Sequence, residues 1–193
     1  MNFLAHLFLS CENEELLVGN FLGDFVRNKE VSQFSPGIQE GVFLHRKIDS
    51  YTDRHPMVLQ GVRRLYDYHH KYAPVVVDVF YDYFLSKNWD RYAGQPLRAF
   101  VNSIYKTLAK YQSEFPERLQ KRLRLMIADD WLLNYSTLEG MSHTFHRMKK
   151  RVSKPEHLQN VMKSLLRDEA QLDAEFNQFF PEVIIYVKEE CFC

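Results

Sequence analysis

The sequence is poor in residues that break helices or cross-link a chain. Its 193 residues include seven glycines, seven prolines and three cysteines. So few glycines and prolines exclude collagen-like and low-complexity chains. The cysteines, at positions 11, 191 and 193, are too few for a disulfide framework. We therefore expect a protein of the reducing cytoplasm.

Long apolar runs are also missing. No stretch approaches the ~20 apolar residues that span a bilayer, so we predict no membrane partner. The opening MNFLAHLFLSC could suggest a lipoprotein signal, but it lacks a positive charge and His6 interrupts its short apolar run. We interpret this segment as part of the folded domain.

Neither sign of charge is in excess. Lys and Arg together number 25, as do Asp and Glu, so the formal net charge is zero. A neutral chain predicts no nucleic-acid partner, and electrostatic recognition must then come from a local patch. Between residues 27 and 64, seven basic side chains outnumber four acidic ones. This patch suits an anionic substrate or an acidic partner protein.

Apolar residues recur with a helical period along most of the chain. The spacing predicts helices over residues 13–29, 35–53, 57–71, 74–89, 96–112, 116–135 and 155–180. The β-branched runs 75–77 and 183–187 are short; the first leads into helical spacing and the second is a short tail. No glycine-rich phosphate-binding motif accompanies them. The sequence predicts one all-α domain over residues 1–193.

Two groups of polar residues stand where a helix would normally bury apolar side chains. GVFLHRKIDSYTDRHP places His45, Asp49 and Asp53 four residues apart, along one face. VVVDVFYDYFL gives Asp78 and Asp82 the same spacing on an otherwise apolar helix. Burying like charges is costly unless a metal ion or strong donors compensate. We predict that both groups belong to a metal or active site. The alternatives are a surface hydrogen bond between His45 and Asp49, and solvent-facing positions for Asp78 and Asp82. Asp53 is then only a helix cap or a surface acid.

Asp24 follows two glycines that lie one helical turn apart, Gly19 and Gly23. Glycine in a helix costs about 1 kcal/mol relative to alanine, so the pair indicates that another group approaches the backbone closely. Arg27 stands three residues after Asp24, which predicts either a salt bridge or a phosphate clamp. His6 lies in an apolar run and is either a core imidazole or a ligand.

These residues would bring two imidazoles and four carboxylates together from separate helices. Without a cysteine, such a set favours Mn²⁺, Mg²⁺ or Fe²⁺ over a structural zinc ion. No Glu-x-x-His motif supports a di-iron bundle. The candidate metal ligands are Asp24, His45, Asp49, Asp78 and Asp82.

Other polar motifs are better explained as surface. The pair His143-x-x-His146 stands next to Arg147, Lys149, Lys150 and Arg151, which predicts a solvated basic surface more than a metal site. We also expect His69–His70 and Asp129–Asp130 on the surface, and a loose tail at Cys191-x-Cys193.

Four motifs, in order, resemble the acyl carrier protein phosphodiesterase family. They are MNFLAHL at 1–7, GNFLGDFVR at 19–27, HRKID at 45–49 and DVFYDYFLSKNW at 78–89. Trp131-Leu132, Tyr135 and Gly140-Met141 extend the resemblance over nearly the full chain.

The resemblance implies an enzyme that hydrolyses the phosphodiester between 4′-phosphopantetheine and a serine of acyl carrier protein, within fatty acid biosynthesis. It also implies an α-helical fold distantly related to HD-domain phosphohydrolases, and a divalent metal, typically Mn²⁺. An HD domain has adjacent His and Asp, whereas Arg46 follows His45 here. The HD ligand scheme therefore does not transfer residue for residue.

Roles for individual residues follow from this chemistry. We predict His6, Asp24, Arg27 and Arg46 as catalytic residues, with His6 or a metal-activated water as proton donor to the leaving serine. Arginine suits bidentate phosphate contacts, and the predicted substrate-binding residues are Arg27, Arg46, Lys47 and Arg54. Four aromatic residues either line a pantetheine channel or, as we expect for most of them, lie in the core: Phe80, Tyr81, Tyr83 and Trp131.

Two alternatives stay open. One is an HD-like phosphohydrolase that acts on a nucleotide or another small phosphodiester. The other is a non-catalytic helical module that binds acidic carrier proteins through its basic patch.

Overall fold

Helices make up most of the structure. The computed structural model describes residues 1–191, in which no strand occurs, and this confirms the all-α prediction. The α-helices are α1 Phe3–Phe8, α2 Glu14–Leu22, α3 Asn28–Val31, α4 Pro36–Thr52, α5 Pro56–His69, α6 Ala73–Lys87, α7 Trp89–Tyr92, α8 Leu97–Lys110, α9 Glu117–Ala128, α10 Trp131–Asn134, α11 Leu138–Lys149 and α12 Val161–Cys191. Short 3₁₀ turns cover His70–Tyr72, Gln112–Glu114 and Pro155–Leu158.

The predicted helix over residues 13–29 is shorter than expected. It begins after Asn13, whose side chain accepts hydrogen bonds from the first-turn amides of Glu15 and Leu16, and it ends at Leu22. Asp24 therefore lies in the turn after α2 rather than on a helix. A turn leaves the carboxylate free to point toward α4.

The predicted helix over residues 116–135 is in fact two. α9 ends at Ala128, and Asp130 adopts a left-handed backbone with φ of 47° before α10 begins at Trp131. Asp tolerates this conformation better than most residues, which explains a break that apolar spacing alone does not reveal. The break turns the chain so that α9 and α11 both reach Trp131.

The C-terminal segment is helical rather than loose. α12 runs for 31 residues, through the β-branched run 183–187 and on to Cys191. Cys193, the other part of the predicted tail motif, lies outside the described residues. Despite the length of α12, no helix within residues 1–191 has the apolar stretch needed to cross a membrane.

α2 and α4 pack unusually closely, through glycine. A Cβ atom on Gly19 would lie 2.1 Å from the carbonyl oxygen of Ile38 and 2.6 Å from the Cα of Gly41. Only glycine fits at both positions of this crossing. The group that approaches the Gly19 backbone is thus α4 itself, and the crossing brings His45 on α4 beside α1 and α2.

A single hydrophobic core joins the helices, and aromatic rings on α6 and α12 form much of it. Phe80 and Tyr81 are fully buried, and Tyr81 stacks on Phe179 with ring centroids 5.6 Å apart. Tyr83 packs beside Phe84. These three predicted channel residues therefore belong to the packing between α6 and its neighbours.

His69 is buried, although the sequence predicts a surface residue. Its Nδ1 lies 2.7 Å from the carbonyl oxygen of His157, and its Nε2 lies 2.9 Å from the Ser164 hydroxyl. Nδ1–H donates to the carbonyl, and Nε2 of a neutral imidazole accepts from the hydroxyl. Burial lowers the pKa of His69.

A buried neutral histidine makes stability depend on pH. Because the pKa of His69 is lower in the folded than in the unfolded chain, its contribution is present above about pH 6.5 and is lost as the pH falls. We expect the thermal midpoint of the wild-type protein to fall more between pH 7 and pH 5 than that of His69→Gln. His143→Gln, at an exposed histidine, is the control, and its thermal midpoint should change with pH as that of wild type does. If the thermal midpoints of all three proteins fell equally between pH 7 and pH 5, a buried neutral His69 would be contradicted.

Candidate active site

Two imidazole rings from different helices stack at the centre of the candidate site. His6 on α1 and His45 on α4 have ring centroids 3.9 Å apart and planes 15° apart. Asn20 on α2 contacts both: its side-chain oxygen lies 2.9 Å from His6 Nδ1, and its backbone carbonyl lies 2.8 Å from His45 Nδ1. Each Nδ1–H donates to Asn20, so both Nε2 atoms are directed away from Asn20.

Carboxylates lie beside these two Nε2 atoms. Asp49 places one oxygen 3.0 Å from His6 Nε2 and the other 3.2 Å from His45 Nε2. An oxygen of Asp24 lies 3.6 Å from His45 Nε2. The imidazoles are almost fully buried, whereas the side chains of Asp24 and Asp49 are 43% and 38% exposed. The imidazole nitrogens therefore form the buried side of the cluster, and Asp24 and Asp49 form its solvent-accessible carboxylate side.

The two histidines have opposite protonation behaviour. Burial lowers the pKa of His6 to about 4, even though the Asp49 carboxylate lies 3.0 Å from its Nε2. Burial also opposes the charge on His45, but hydrogen bonds to Asp24 and Asp49 outweigh it and raise the pKa of His45 to about 9. The same histidines hold the pKa of Asp49 far below its usual range, in spite of burial.

Asp78 joins the cluster through the α-amino group of Met1. This ammonium lies 3.1 Å from Asp49 and 3.3 Å from Asp78. Although burial opposes its charge, the two carboxylates raise its pKa to about 10. Asp78, a predicted metal ligand, is thus close to the cluster but is separated from the imidazoles by a positive group.

Asp82, the other predicted ligand on α6, has a different partner. It is completely buried, and its oxygens accept hydrogen bonds from the backbone amides of Leu4 and Ala5, at 2.9 and 3.0 Å. Burial raises its pKa to about 7 despite these bonds. Because both oxygens cap the first turn of α1, Asp82 positions the helix that carries His6. The geometry does not support a metal-ligand role.

Removal of this cap should destabilise the protein. Asp82→Ala leaves two buried amides without an acceptor, so we expect the free energy of unfolding to fall by about 2 kcal/mol. Urea unfolding measures the change. Asp67→Ala, at an exposed acid on α5, is the matched control and should stay within about 0.5 kcal/mol of wild type. A similarly small effect of Asp82→Ala would contradict the capping role.

The predicted phosphate-binding residues lie away from the cluster. Arg46 lies 5.7 Å over the ring of Phe43, and Lys47 pairs with Glu190. They follow His45 directly, so helical geometry turns them to other sides of α4.

Arg54 donates to Ser50, and Asp53 is an exposed residue at the end of α4. Arg27 is exposed and has no ion pair with Asp24 among the contacts of residues 1–191. Within residues 1–191, the structure shows no contact between the histidine–aspartate cluster and any of Arg27, Arg46, Lys47 and Arg54.

A cavity of about 300 Å³ opens beside the carboxylate side of the cluster. Asp24, Asp78 and Met1 are among the residues that line it. Trp131 and the three arginines Arg122, Arg147 and Arg151 also line it. Of the four predicted channel aromatics, Trp131 alone is among the residues that the structure places at this cavity.

Comparison with known proteins places the chain in a family. The family model described as acyl carrier protein phosphodiesterase matches residues 1–183. The chain belongs to the acyl carrier protein phosphodiesterase family. The match spans all the residues of the cluster and the cavity, and it confirms the resemblance of the four motifs.

Curated relatives of the same name agree along nearly their whole length. The acyl carrier protein phosphodiesterase of Photorhabdus laumondii is 31% identical over 182 residues, which cover 94% of this chain and 92% of the relative. Those of Pectobacterium atrosepticum and Salmonella paratyphi A are 29% and 30% identical, and the alignments cover 98% and 95% of this chain and 99% and 96% of theirs. No solved structure matches the chain. A relation to HD-domain proteins stays a prediction.

The sequence analysis did not predict Asn20 or the three cavity arginines as site residues of this family member. Asn20 stands four residues before Asp24 in GNFLGD, but this spacing does not distinguish it from a structural amide. Arg147 and Arg151, also four residues apart, were predicted as solvated surface. The exposed pair His143 and His146 does lie on the surface. Arg122 lies on α9, Arg147 on α11 and Arg151 just after α11, so it is the tertiary packing that brings them to one cavity.

Proposed function

We propose that the chain is a divalent-cation-dependent phosphodiester hydrolase that releases 4′-phosphopantetheine from the serine of holo-acyl carrier protein. The observation that carries the proposal is the convergence of His6, His45, Asp49 and Asp24 beside an arginine-lined cavity. The names of the family and of its relatives supply the substrate class. A cytoplasmic location and a role in fatty acid biosynthesis stay predictions.

The donor set fits a divalent cation. His6 donates its Nδ1 proton to Asn20, and with a pKa near 4 it carries no second proton at neutral pH. Its Nε2 lone pair therefore faces an Asp49 oxygen only 3.0 Å away, and a cation would satisfy both acceptors. One donor atom from each of His6, His45 and Asp49 lies within 4.8 Å of the others. Mixed imidazole and carboxylate ligands suit Mn²⁺ or Fe²⁺, with Mg²⁺ as a further candidate.

His6, His45, Asp49 and Asp24 would hold this cation, and Asn20 would orient both imidazoles. In metal sites, the ring N–H of a histidine that does not bind the metal commonly donates a hydrogen bond to such a partner, which fixes the orientation of the ring. When bound, a divalent cation lowers the pKa of an attacking water and offsets charge on the phosphoryl oxygens.

The protein's own side chains have distinct tasks in this scheme. Asp24 is the most exposed of the four residues and lines the cavity, so it is placed to accept a proton from the attacking water. His6 is neutral near pH 7, which favours a ligand over the predicted proton donor. Trp131 lines the same cavity, where its ring would shield the reacting phosphodiester from bulk water.

The intact mass of the carrier protein tests this function. Purified protein is incubated with holo-acyl carrier protein and Mn²⁺, with parallel samples that contain a chelator or the Asp24→Asn variant. We expect the carrier to lose one phosphopantetheine group in the first sample only. An unchanged carrier, with correctly folded protein, would contradict the proposal, and cleavage of nucleotides or cyclic phosphodiesters instead would favour the HD-like alternative. Metal-independent binding of the carrier without cleavage would favour the non-catalytic module.

A further inference from the structure

Side chains of both charges line the cavity beside the cluster. Asp24 and Asp78 supply carboxylates, and an oxygen of Asp24 lies 3.6 Å from His45 Nε2. Arg122, Arg147 and Arg151 supply three guanidinium groups elsewhere in the wall. None of the three arginines forms an ion pair with a carboxylate among residues 1–191, although salt bridges are frequent elsewhere in the molecule. Three positive groups that share one cavity, none of them within salt-bridge distance of a carboxylate of residues 1–191, indicate a site for an anion.

Trp131 holds two of these arginines in place. The guanidinium carbon of Arg147 lies 4.6 Å from the centroid of the indole ring, and that of Arg122 lies 5.6 Å from it. Arg122 also lies 4.9 Å over the ring of Phe25. Stacking of this kind uses the flat face of a guanidinium and leaves its in-plane N–H donors available for a ligand. The arginines are therefore oriented before a ligand arrives.

Unpaired donors around the cavity support the same conclusion. Arg122 Nε and Asn2 Nδ2 are buried without a hydrogen-bond partner in the described part of the chain. Arg147 has a single long hydrogen bond, 3.4 Å, to the hydroxyl of Thr144. Burial and the neighbouring Arg151 lower the pKa of Arg122, although the Asp24 carboxylate opposes this shift. A doubly charged phosphate would satisfy several of these donors at once.

We propose that Arg122, Arg147 and Arg151 form the phosphoryl-binding site of this enzyme, which takes the phosphate end of a phosphopantetheine group. The proposal rests on the proposed function and replaces the basic residues near His45 as the phosphate clamp. The substrate phosphodiester carries one negative charge and the released phosphomonoester carries about two. The same three arginines would therefore bind the product at least as firmly as the substrate.

Binding without turnover tests the site independently of the reaction. Isothermal titration in metal-free, phosphate-free buffer compares 4′-phosphopantetheine with pantetheine, which lacks only the phosphate. We expect the phosphorylated ligand to bind wild type about 10-fold tighter or more, because charge-assisted hydrogen bonds are among the strong ones. Arg147→Gln and Arg122→Gln should each remove most of this difference while the affinity for pantetheine stays the same. Inorganic phosphate should compete with the phosphorylated ligand.

Matched variants separate a phosphate contact from a general loss of charge or fold. Arg124→Gln removes an exposed arginine of the same helix, α9, and should bind both ligands as wild type does. Arg147→Lys keeps the charge but loses the planar fork, and should retain part of the preference. Equal affinity for the two ligands, or an unchanged preference in Arg122→Gln and Arg147→Gln, would overturn the proposal. Arginine-dependent phosphate binding by a protein that leaves holo-carrier intact would instead reject only the proposed reaction.

Discussion

Asp49→Asn is expected to abolish phosphopantetheine release almost completely. Asp49 contacts both imidazoles, at 3.0 and 3.2 Å, and its two oxygens lie closer to the Nε2 atoms than the Asp24 oxygen does, at 3.6 Å. Loss of a residue that merely orients a ligand costs about 10–100-fold, so loss of a ligand should cost at least about 100-fold. The rate of carrier conversion, followed by intact mass with Mn²⁺ present, measures the effect.

Asp53→Asn is the matched control for this substitution. Asp53 stands one turn further along the chain, at the end of α4, and is exposed. The same change of charge there should alter the rate less than about twofold, since exposed charges are screened. Comparable losses in both variants would mean that general electrostatics, and not the Asp49 contacts, determine activity.

Gly23→Ala should have the second largest effect, although glycine carries no functional group. A Cβ atom at position 23 would lie 2.2 Å from Cγ of His45, so the imidazole must move. The displaced ring cannot keep both its Asn20 and its Asp49 contacts. We expect activity to fall by about 10–100-fold and stability by about 1–3 kcal/mol.

The control for Gly23→Ala is Gly94→Ala, where a Cβ would meet no atom within 4 Å. It should leave activity near the wild-type level. Thermal unfolding shows whether Gly23→Ala is still folded at the assay temperature. A folded Gly23→Ala protein with wild-type activity would contradict the requirement for this imidazole position.

The sequence predicted the helical class because apolar periodicity is a local property. It also predicted His45 and Asp49, since residues four apart on one helix lie on one face whatever the tertiary structure. His6 and Asp24 were predicted as candidates, and the structure brings both to the same cluster. Their partner Asn20 was missed because nothing in the spacing distinguishes an amide that orients ligands from one that caps a turn.

The predicted phosphate clamp and the predicted metal ligand Asp82 show what residue spacing alone does not predict. Arg46 is adjacent to His45 in sequence, but a helix turns neighbouring side chains about 100° apart, so adjacency places it away from the cluster. Asp82 has the same spacing from Asp78 that Asp49 has from His45, and only the packing of α1 shows that it caps a helix. Arg147 reaches the cavity through the packing of α11, which follows the left-handed residue Asp130 and α10, and apolar spacing does not reveal this packing.

The central claim, that two histidines and two aspartates form a cation site, is tested most directly by Mn²⁺ binding. Free Mn²⁺ gives a six-line electron paramagnetic resonance signal that is suppressed when the ion is bound by protein. We predict that metal-free wild-type protein suppresses this signal until its site is filled, that Asp53→Asn does the same, and that Asp49→Asn leaves the signal near its protein-free level. Equal suppression by Asp49→Asn and wild type, or none by either, would contradict the account.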